Sequence, residues 1–229
     1  MTTTLRSLVL PLIWLPLALA QTGPTSASDA PADSTSDIAQ DRENVLEKAM
    51  GIAGPGEPVP LTEKERVHLY LLSVVGPVPV MAEVAGAAFS QWENSPKAWG
   101  QGWGAFEERA ESNLAYNGLR ETITYGTSIA FHEDNRYFPS QKHGLWSRTG
   151  YAVLSTVTAR RPDGREVFSV SSVAGVFGGA ALSSIWGPRS WEGVEGIGRN
   201  AGISFALTAG FNIVREFLPD MLHGPHKDK

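Results

Sequence analysis

The chain of 229 residues contains no cysteine, which excludes disulfides, thiol nucleophiles and thiolate metal sites. It has no large excess of charge of either sign: the formal net charge is −5, and only 19% of the residues are Asp, Glu, Lys or Arg. A protein that binds nucleic acid through phosphate contacts needs a strongly basic face, so this composition argues against a nucleic-acid partner. The hydrophobic fraction of 42% is sufficient for one core or two small ones.

Common catalytic and nucleotide-binding motifs are also missing. The sequence has no GxxxxGK[ST] phosphate loop, no GxSxG nucleophile elbow and no HExxH zinc motif. These absences disfavour nucleotide binding and serine-hydrolase chemistry. We therefore predict no cofactor, with a divalent metal ion as the one alternative considered below.

The first 20 residues have the form of a cleavable export signal. Arg6 is the only charged residue among the first 28, and the apolar stretch Leu8–Ala20 follows it. This stretch is shorter than the roughly 20 residues that a membrane-spanning helix needs. It ends in Ala18-Leu19-Ala20, the small-x-small pattern of a signal peptidase site. We expect residues 1–20 to be removed and the mature protein to reach the periplasm or cell envelope.

The mature chain divides by composition into three parts. Residues 21–60 carry seven acidic and two basic residues and few large apolar ones, which predicts a disordered acidic linker. Residues 61–220 are nearly neutral and predict a single helical domain. Residues 221–229 predict a disordered tail, in which Gly224 and Pro225 keep His223 and His226 from forming a helical ligand pair.

Apolar spacing, caps and prolines predict an all-α fold, a compact bundle of about five or six helices. The Thr62-Glu63-Lys64-Glu65 segment is a capping box that starts the first helix. Pro162-Asp163-Gly164 predicts a tight turn, and Arg165 to Val170 could be extended. The helices are predicted at about 62–75, 81–92, 103–131, 145–159, 171–186 and 191–217.

Two segments near the C-terminus, 167–188 and 200–214, carry no charge and are rich in small residues. Glycine costs about 1 kcal/mol relative to alanine in a helix, so its recurrence predicts close approach of helix backbones. A transmembrane hairpin would explain the pattern, but several serines and moderate hydropathy favour packed soluble or peripheral helices. Leucine at Gly202 or Gly210 is then expected to disrupt folding. The helix-packing residues are predicted to be Gly175, Gly179, Gly198, Gly202, Ala206 and Gly210.

The segment His132-Glu133-Asp134-Asn135-Arg136-Tyr137-Phe138 resembles the HED-x-RY(F/H) block of a family of exported bacterial proteins with no assigned activity. The resemblance covers roughly residues 61–220. It implies one exported helical domain and carries over no catalytic residue. Further similar blocks are Trp99–Gly102, Arg160 with the turn after it, Val173–Gly175, Gly210–Asn212 and Arg215–Phe217.

Four residues of this block, His132, Glu133, Asp134 and Arg136, are the candidates for chemistry. His132, Glu133 and Asp134 are metal-ligand types, but neighbouring helical residues point about 100° apart and cannot all face one ion. The favoured interpretation is an ion pair of Glu133 or Asp134 with Arg136 that caps the helix end. The alternative is a metal-dependent or acid–base hydrolase, with His132 and His143 as candidate metal ligands.

Arginines follow the block, and tryptophans recur near predicted helix ends. Arginine interacts with anionic lipid head groups, and tryptophan favours the membrane–water interface. Arg148 lies too far along the fourth helix from the 160–165 turn to share one small phosphate with it. Ordinary solvation of turns and packing of loops would also explain these residues. The candidate membrane or anion surface comprises Arg148, Arg160, Arg161, Arg165, Trp186 and Trp191.

Together these patterns predict an exported, non-enzymatic cell-envelope protein with a helical packing or membrane-associated role. Its expected partners are membrane lipid or a second copy of the chain. The alternatives are the hydrolase centred on the HED block and a carrier that holds a small ligand or lipid in a cavity between helices.

Overall fold

The structure is a computed structural model that describes residues 46–54 and 61–223. The predicted signal peptide, most of the predicted linker and residues 224–229 lie outside the described residues. Within the described part, six helices of ten or more residues and one two-stranded hairpin form the fold, which confirms the all-α prediction. The helices are α1 (Glu63–Val75), α2 (Pro77–Trp92), α3 (Trp103–Phe131), α4 (Leu145–Leu154), α5 (Val170–Ser183) and α6 (Gly193–His223).

Helices α1 and α2 form one bent rod that runs antiparallel to α3. The predicted capping box starts α1: the Glu65 amide donates to Thr62 Oγ1 (3.3 Å), and the Thr62 amide donates to Glu65 Oε2 (2.8 Å). The bend is at Gly76, where an added Cβ would lie 2.2 Å from the Leu72 carbonyl oxygen. Helix α2 begins at Pro77 rather than at residue 81, because proline is tolerated in a first helical turn.

The 29 residues of α3 extend for about 43 Å at 1.5 Å per residue, and α3 separates the two ends of the bundle. Arg66 in α1 donates to the Glu133 carbonyl oxygen just beyond the C-terminus of α3 (3.2 Å). At the opposite end, Gln91 of α2 donates to the Gly102 carbonyl oxygen just before α3 begins (3.0 Å). The α1–α2 rod therefore follows α3 over its whole length.

The prediction of one helix over 145–159 is wrong beyond Leu154. Strand β1 (Thr158–Arg160) pairs antiparallel with strand β2 (Glu166–Phe168), around a turn in which Gly164 has φ +81°. The paired residues are only 6 to 10 positions apart, in a hairpin around the turn that the sequence predicts, but the apolar spacing up to Ala159 indicates a continuation of the helix. The prediction of extended structure after the turn is confirmed for β2.

The predicted glycine packing is confirmed in α5, but its partner is α3. A Cβ at Gly175 would lie 2.0 Å from Thr124 Oγ1 and 2.9 Å from the Arg120 carbonyl oxygen. A Cβ at Gly179 would lie 3.1 Å from the Tyr116 ring. Glycine at these positions lets the two helix backbones approach closely.

The glycines of α6 have no such partner helix among the described residues, so close packing there stays a prediction. An added Cβ at Gly198, Gly202 or Gly210 meets no heavy atom within 4 Å in the described part of the chain, and the intervening Ala206 is exposed. The four-residue repeat therefore lies on an open face of α6. Helix α6 also continues through Pro219, because Arg148 binds Glu216 and Asp220 on either side of it and ties that turn to α4.

One described stretch, Glu63–Trp92, is apolar and long enough to cross a membrane, by length and composition only. The segments 167–188 and 200–214, which the sequence suggested for insertion, do not meet this criterion. Helix α5 has only 14 residues, about 21 Å, and its buried face packs on α3.

Most buried residues of the bundle are small or polar; Met50, Ile52, Phe138 and Val176 are the larger apolar ones among the described residues. The core cluster contains Val176, Ala180 and Ala201, and the largest fully buried side chains belong to Arg109 and Glu216. Large apolar side chains are exposed instead on most helices. This distribution is the reverse of the usual one in water-soluble domains.

Part of the predicted linker is packed. Residues 46–49 are helical, and Met50, Ile52 and Ala53 are buried. The Ala53 amide donates to the Tyr137 carbonyl oxygen (2.7 Å), and the Tyr137 amide donates to that of Gly51 (2.9 Å). The prediction of a disordered linker over 21–60 therefore does not hold for 46–54, whose backbone pairs with Tyr137 of the HED block.

Candidate functional site

The HED block lies at the C-terminal end of α3, where the chain turns sharply. His132 ends α3 in the left-handed conformation (φ +54°), and its side chain is exposed. The reversal directs the next residues into the bundle, so Glu133 is 98% buried. Two adjacent residues of the block thus have opposite environments.

The Glu133 carboxylate caps the N-terminus of α5, which is a different helix from the one predicted. It accepts hydrogen bonds from the backbone amides of Val170 (3.0 Å) and Ser171 (2.9 Å) and from the hydroxyls of Ser169 (3.2 Å) and Ser171. A carboxylate is favoured there because free amides and the helix dipole both attract negative charge. These bonds join the end of α3 to the start of α5.

Asp134 and Asn135 connect the block to the hairpin and to α5. Asp134 forms the predicted ion pair with Arg136 (2.6 Å), and its backbone exchanges two hydrogen bonds with Arg160 in β1 (2.8 and 3.0 Å). The Asn135 amide donates to Ser171 Oγ (2.8 Å). Three of the block's polar side chains are therefore used to hold the fold.

A second buried carboxylate, Glu216 of α6, binds the far end of the block. It accepts from the hydroxyls of Tyr137 (2.8 Å) and Ser140 (2.6 Å) and from Arg148 Nε (2.8 Å). Arg148 also pairs with Asp220 and lies 4.4 Å from the Phe217 ring centroid. Burial and the bond to Glu216 raise the pKa of the Tyr137 hydroxyl well above its usual value.

Beside these two clusters lies a cavity of about 80 Å³. One water molecule needs at least about 10–15 Å³ by this kind of measure, so there is room for several waters or one small polyatomic group. The charged residues that line it are Arg136, Arg160, Arg215 and Glu166. Its uncharged polar lining consists of Asn135, Tyr137, Tyr151, Ser155, Thr156, Thr158, Ser172, Thr208 and Asn212.

Three polar atoms of the cavity lining are buried and have no hydrogen-bond partner among the described residues: Thr156 Oγ1, Arg160 Nε and Arg215 Nε. Within the same part of the chain, the one acceptor of Arg215 is Asn212 Oδ1 (3.1 Å), and its guanidinium lies 4.7 Å from the Phe211 ring centroid. Burial lowers the pKa of Arg215 to about 10, so its guanidinium is still protonated at neutral pH. We call this side of the bundle, with Arg136, Arg148, Arg160 and Arg215, the arginine end.

The opposite side contains five tryptophans near helix termini, and we call it the tryptophan end. Trp186 Nε1 donates to Ser112 Oγ near the start of α3 (3.0 Å), and the Trp99 and Trp191 ring centroids lie 5.4 Å apart. The five residues are Trp92, Trp99, Trp103, Trp186 and Trp191.

The predicted membrane or anion surface is therefore divided between the two ends. Arg148 and Arg160 belong to the arginine end, whereas Trp186 contacts α3 about 29 Å from that helix's C-terminus. Arg161 and Arg165 are exposed at the hairpin turn, and Arg165 pairs with Asp163 (2.6 Å). No single face contains all six residues.

The metal site considered from sequence finds no support in the geometry of the described residues. Among them, no three His, Asp or Glu side chains form a group that could hold a metal ion. His132 and His143 are exposed, and the Glu133 carboxylate already accepts four hydrogen bonds.

Several residues at the arginine end were not identified as candidates from the sequence. They are Tyr137, Thr156, Asn212, Arg215 and Glu216. One signal was available: Arg215 and Glu216 are the first charges after the uncharged 200–214 stretch, and charged residues in apolar helices need partners.

The fold and the site define a helical bundle in which most buried residues are small or polar and many large apolar side chains are exposed. Comparison of the chain with family models, with curated proteins and with solved structures finds no match.

Proposed function

We propose that this chain is an exported, non-enzymatic protein of the cell envelope that associates with a membrane. The contact surface comprises the outer face of the α1–α2 rod and the tryptophan end. The observation that carries the proposal is the exposure of many large apolar side chains around an interior in which most residues are small or polar. Exposed apolar surface of this extent is a mark of membrane or protein contact.

The outer face of the rod is apolar along its length. Between Val67 and Trp92, Glu83 is the only acidic or basic residue apart from His68. This stretch of 26 residues measures about 39 Å as helix, more than the roughly 30 Å hydrocarbon core of a bilayer. The large exposed side chains along the rod are Val67, Leu71, Val75, Met81, Val84, Phe89 and Trp92.

The tryptophan end continues this apolar face. Trp92 and Trp103 are 80% and 75% exposed, and hydrogen bonds between Gln91 and the Gln101-Gly102 segment hold their helices together. The Phe89 and Trp92 rings pack against each other in a tilted arrangement, with ring centroids 5.7 Å apart. Tryptophan is enriched at membrane–water interfaces, where its ring is buried and its N–H stays near water.

Cell fractionation with a carbonate wash of the membrane pellet tests the proposal. Retention after the wash indicates inserted helices, and release by the wash indicates peripheral binding. Both outcomes agree with membrane association. Recovery of the mature chain in the soluble fraction would contradict it.

Vesicle sedimentation identifies the contact surface. Burying an exposed aromatic side chain contributes roughly 1.5–3 kcal/mol. The Trp92→Ala/Trp103→Ala double variant should therefore bind phosphatidylcholine vesicles at least about a hundredfold more weakly than the unaltered chain. Trp146→Ala is the matched control, because Trp146 is 86% exposed but lies in α4, at the arginine end. Equal losses in both variants would overturn the assignment of this surface.

The hydrolase alternative receives less support from the geometry. Glu133 is satisfied by the start of α5, and Asp134 is paired with Arg136. The carrier alternative is favoured by one specific observation, the cavity at the arginine end, which is small and polar rather than apolar.

A further inference from the structure

We propose that the cavity at the arginine end is a binding site for a phosphate-type oxyanion, either the free ion or the phosphate of a lipid head group. The site is separate from the membrane contact surface proposed above, because no lining residue belongs to the α1–α2 rod or to the tryptophan end. The proposal rests on the residues that line the cavity and on the hydrogen-bond donors of this lining that have no acceptor.

The charge of the lining is positive. Arg136, Arg160 and Arg215 face a single lining carboxylate, Glu166. Arg136 is paired with Asp134, and Arg160 contacts Glu166 at 3.5 Å. Arg215 has no carboxylate within ion-pair distance among the described residues. A dianionic ligand would therefore enter a site with an uncompensated guanidinium.

The hydrogen-bonding capacity of the lining also matches an oxyanion. Thr156 is 93% buried, and its hydroxyl has no hydrogen-bond partner among the described residues. The Nε atoms of Arg160 and Arg215 are buried donors that also have no acceptor there. A buried donor without an acceptor is costly, so such groups mark places where a ligand or ordered solvent belongs. A phosphate oxygen is a strong acceptor, and arginine is the preferred residue for binding it.

The three donors come from separate parts of the chain. Thr156 follows α4, Arg160 belongs to β1, and Arg215 belongs to α6. Donors from three separate segments around one cavity suit a tetrahedral group with several acceptor oxygens better than a planar carboxylate with two. Tyr151 and Glu166 close the more exposed side, where the Tyr151 hydroxyl donates to Glu166 Oε1 (2.8 Å).

Calorimetric titration of the purified full chain with inorganic phosphate, and separately with soluble short-chain phosphatidic acid, tests the site. We expect saturable binding of one equivalent of at least one of them, and at least tenfold weaker binding of acetate. Binding of phosphate alone identifies the free ion, and binding of phosphatidic acid alone identifies a head group. Competition between the two identifies one shared site.

Two variants and one control localise the binding. Thr156→Val keeps the side-chain shape and should weaken binding by at least tenfold, and Arg215→Gln should abolish it. Arg165→Ala should leave binding unchanged, because Arg165 is an exposed arginine of the hairpin turn outside the cavity lining. Circular dichroism confirms that each variant is folded.

Three results would overturn the proposal. They are the absence of saturable phosphate or phosphatidic acid binding to the folded chain, acetate binding of equal strength, and unchanged binding by folded Thr156→Val. Because Thr156→Val removes a single oxygen, this test holds even if Arg215→Gln does not fold.

Discussion

Each end of the bundle contains an arginine that packs into the fold, Arg109 buried and Arg215 partly buried, and the two have opposite hydrogen-bonding environments. At the tryptophan end, Arg109 is 99% buried and donates five hydrogen bonds. Its acceptors are the carbonyl oxygens of Ser95, Pro96, Gly100 and Ala105 and the Gln91 side chain. At the arginine end, Arg215 donates to Asn212 alone among the residues that the structure describes, and its Nε has no partner there.

This difference separates a structural arginine from an available one. Arg109 ties the loop between α2 and α3 to the helices on either side, and it has no donor left for a ligand. Arg215 lines a cavity and still has an N–H group that can donate to a ligand. The residue type is the same in both places, although Arg109 is fully buried and Arg215 is only partly buried. The balance of donors and acceptors is what distinguishes the two roles.

The largest expected effect comes from exchanging each arginine for methionine. Arg109→Met leaves several buried carbonyls unpaired at about 1–3 kcal/mol each, and should lower the free energy of unfolding by roughly 4 kcal/mol. Arg215→Met removes one hydrogen bond and should cost about 1 kcal/mol or less. Chemical denaturation of both variants, in the same buffer or detergent as the unaltered chain, measures the difference. Equal losses of stability would show that the two arginines have the same role.

The contrast between the ends could be predicted from the sequence only in part. Caps and apolar spacing predicted α1 and α3 closely, because these signals are local. The target of Glu133 is 37 residues further along the chain, at Val170 and Ser171, and no local pattern indicates it. Arg109 lies in a charged stretch of α3 and looks like a solvent-facing residue by sequence alone.

Glycine spacing illustrates the same limit. Gly175-x-x-x-Gly179 and Gly198-x-x-x-Gly202 are equivalent motifs, but only the first packs against another helix in the described part of the chain. The motif permits the backbone of a second helix to approach closely. Whether a helix lies there depends on the course of the whole chain.

A second prediction compares the carboxylates that bind Arg148 at the arginine end. Glu216 is fully buried and has four donors, so Glu216→Gln should lower the free energy of unfolding by about 3 kcal/mol. Asp220→Asn is the control: Asp220 is partly exposed, and its loss should cost less than about 1 kcal/mol. Denaturant titration of both variants checks the order, and a larger effect at Asp220 would contradict the assignment of Glu216 as the main anchor of α4 on α6.

The smallest expected effect concerns the glycines between the two ends. Gly175→Ala places a methyl group against Thr124 and the Arg120 backbone, and overpacking of this kind costs about 1–3 kcal/mol. Gly202→Ala meets open space on α6 and should stabilise the chain by up to about 1 kcal/mol through helix propensity. Thermal unfolding of the two variants, made in parallel, should therefore shift in opposite directions. If Gly202→Ala were destabilising by as much as Gly175→Ala, the open face of α6 would have to be packed in the native protein, in addition to the contact surface proposed on the α1–α2 rod and the tryptophan end.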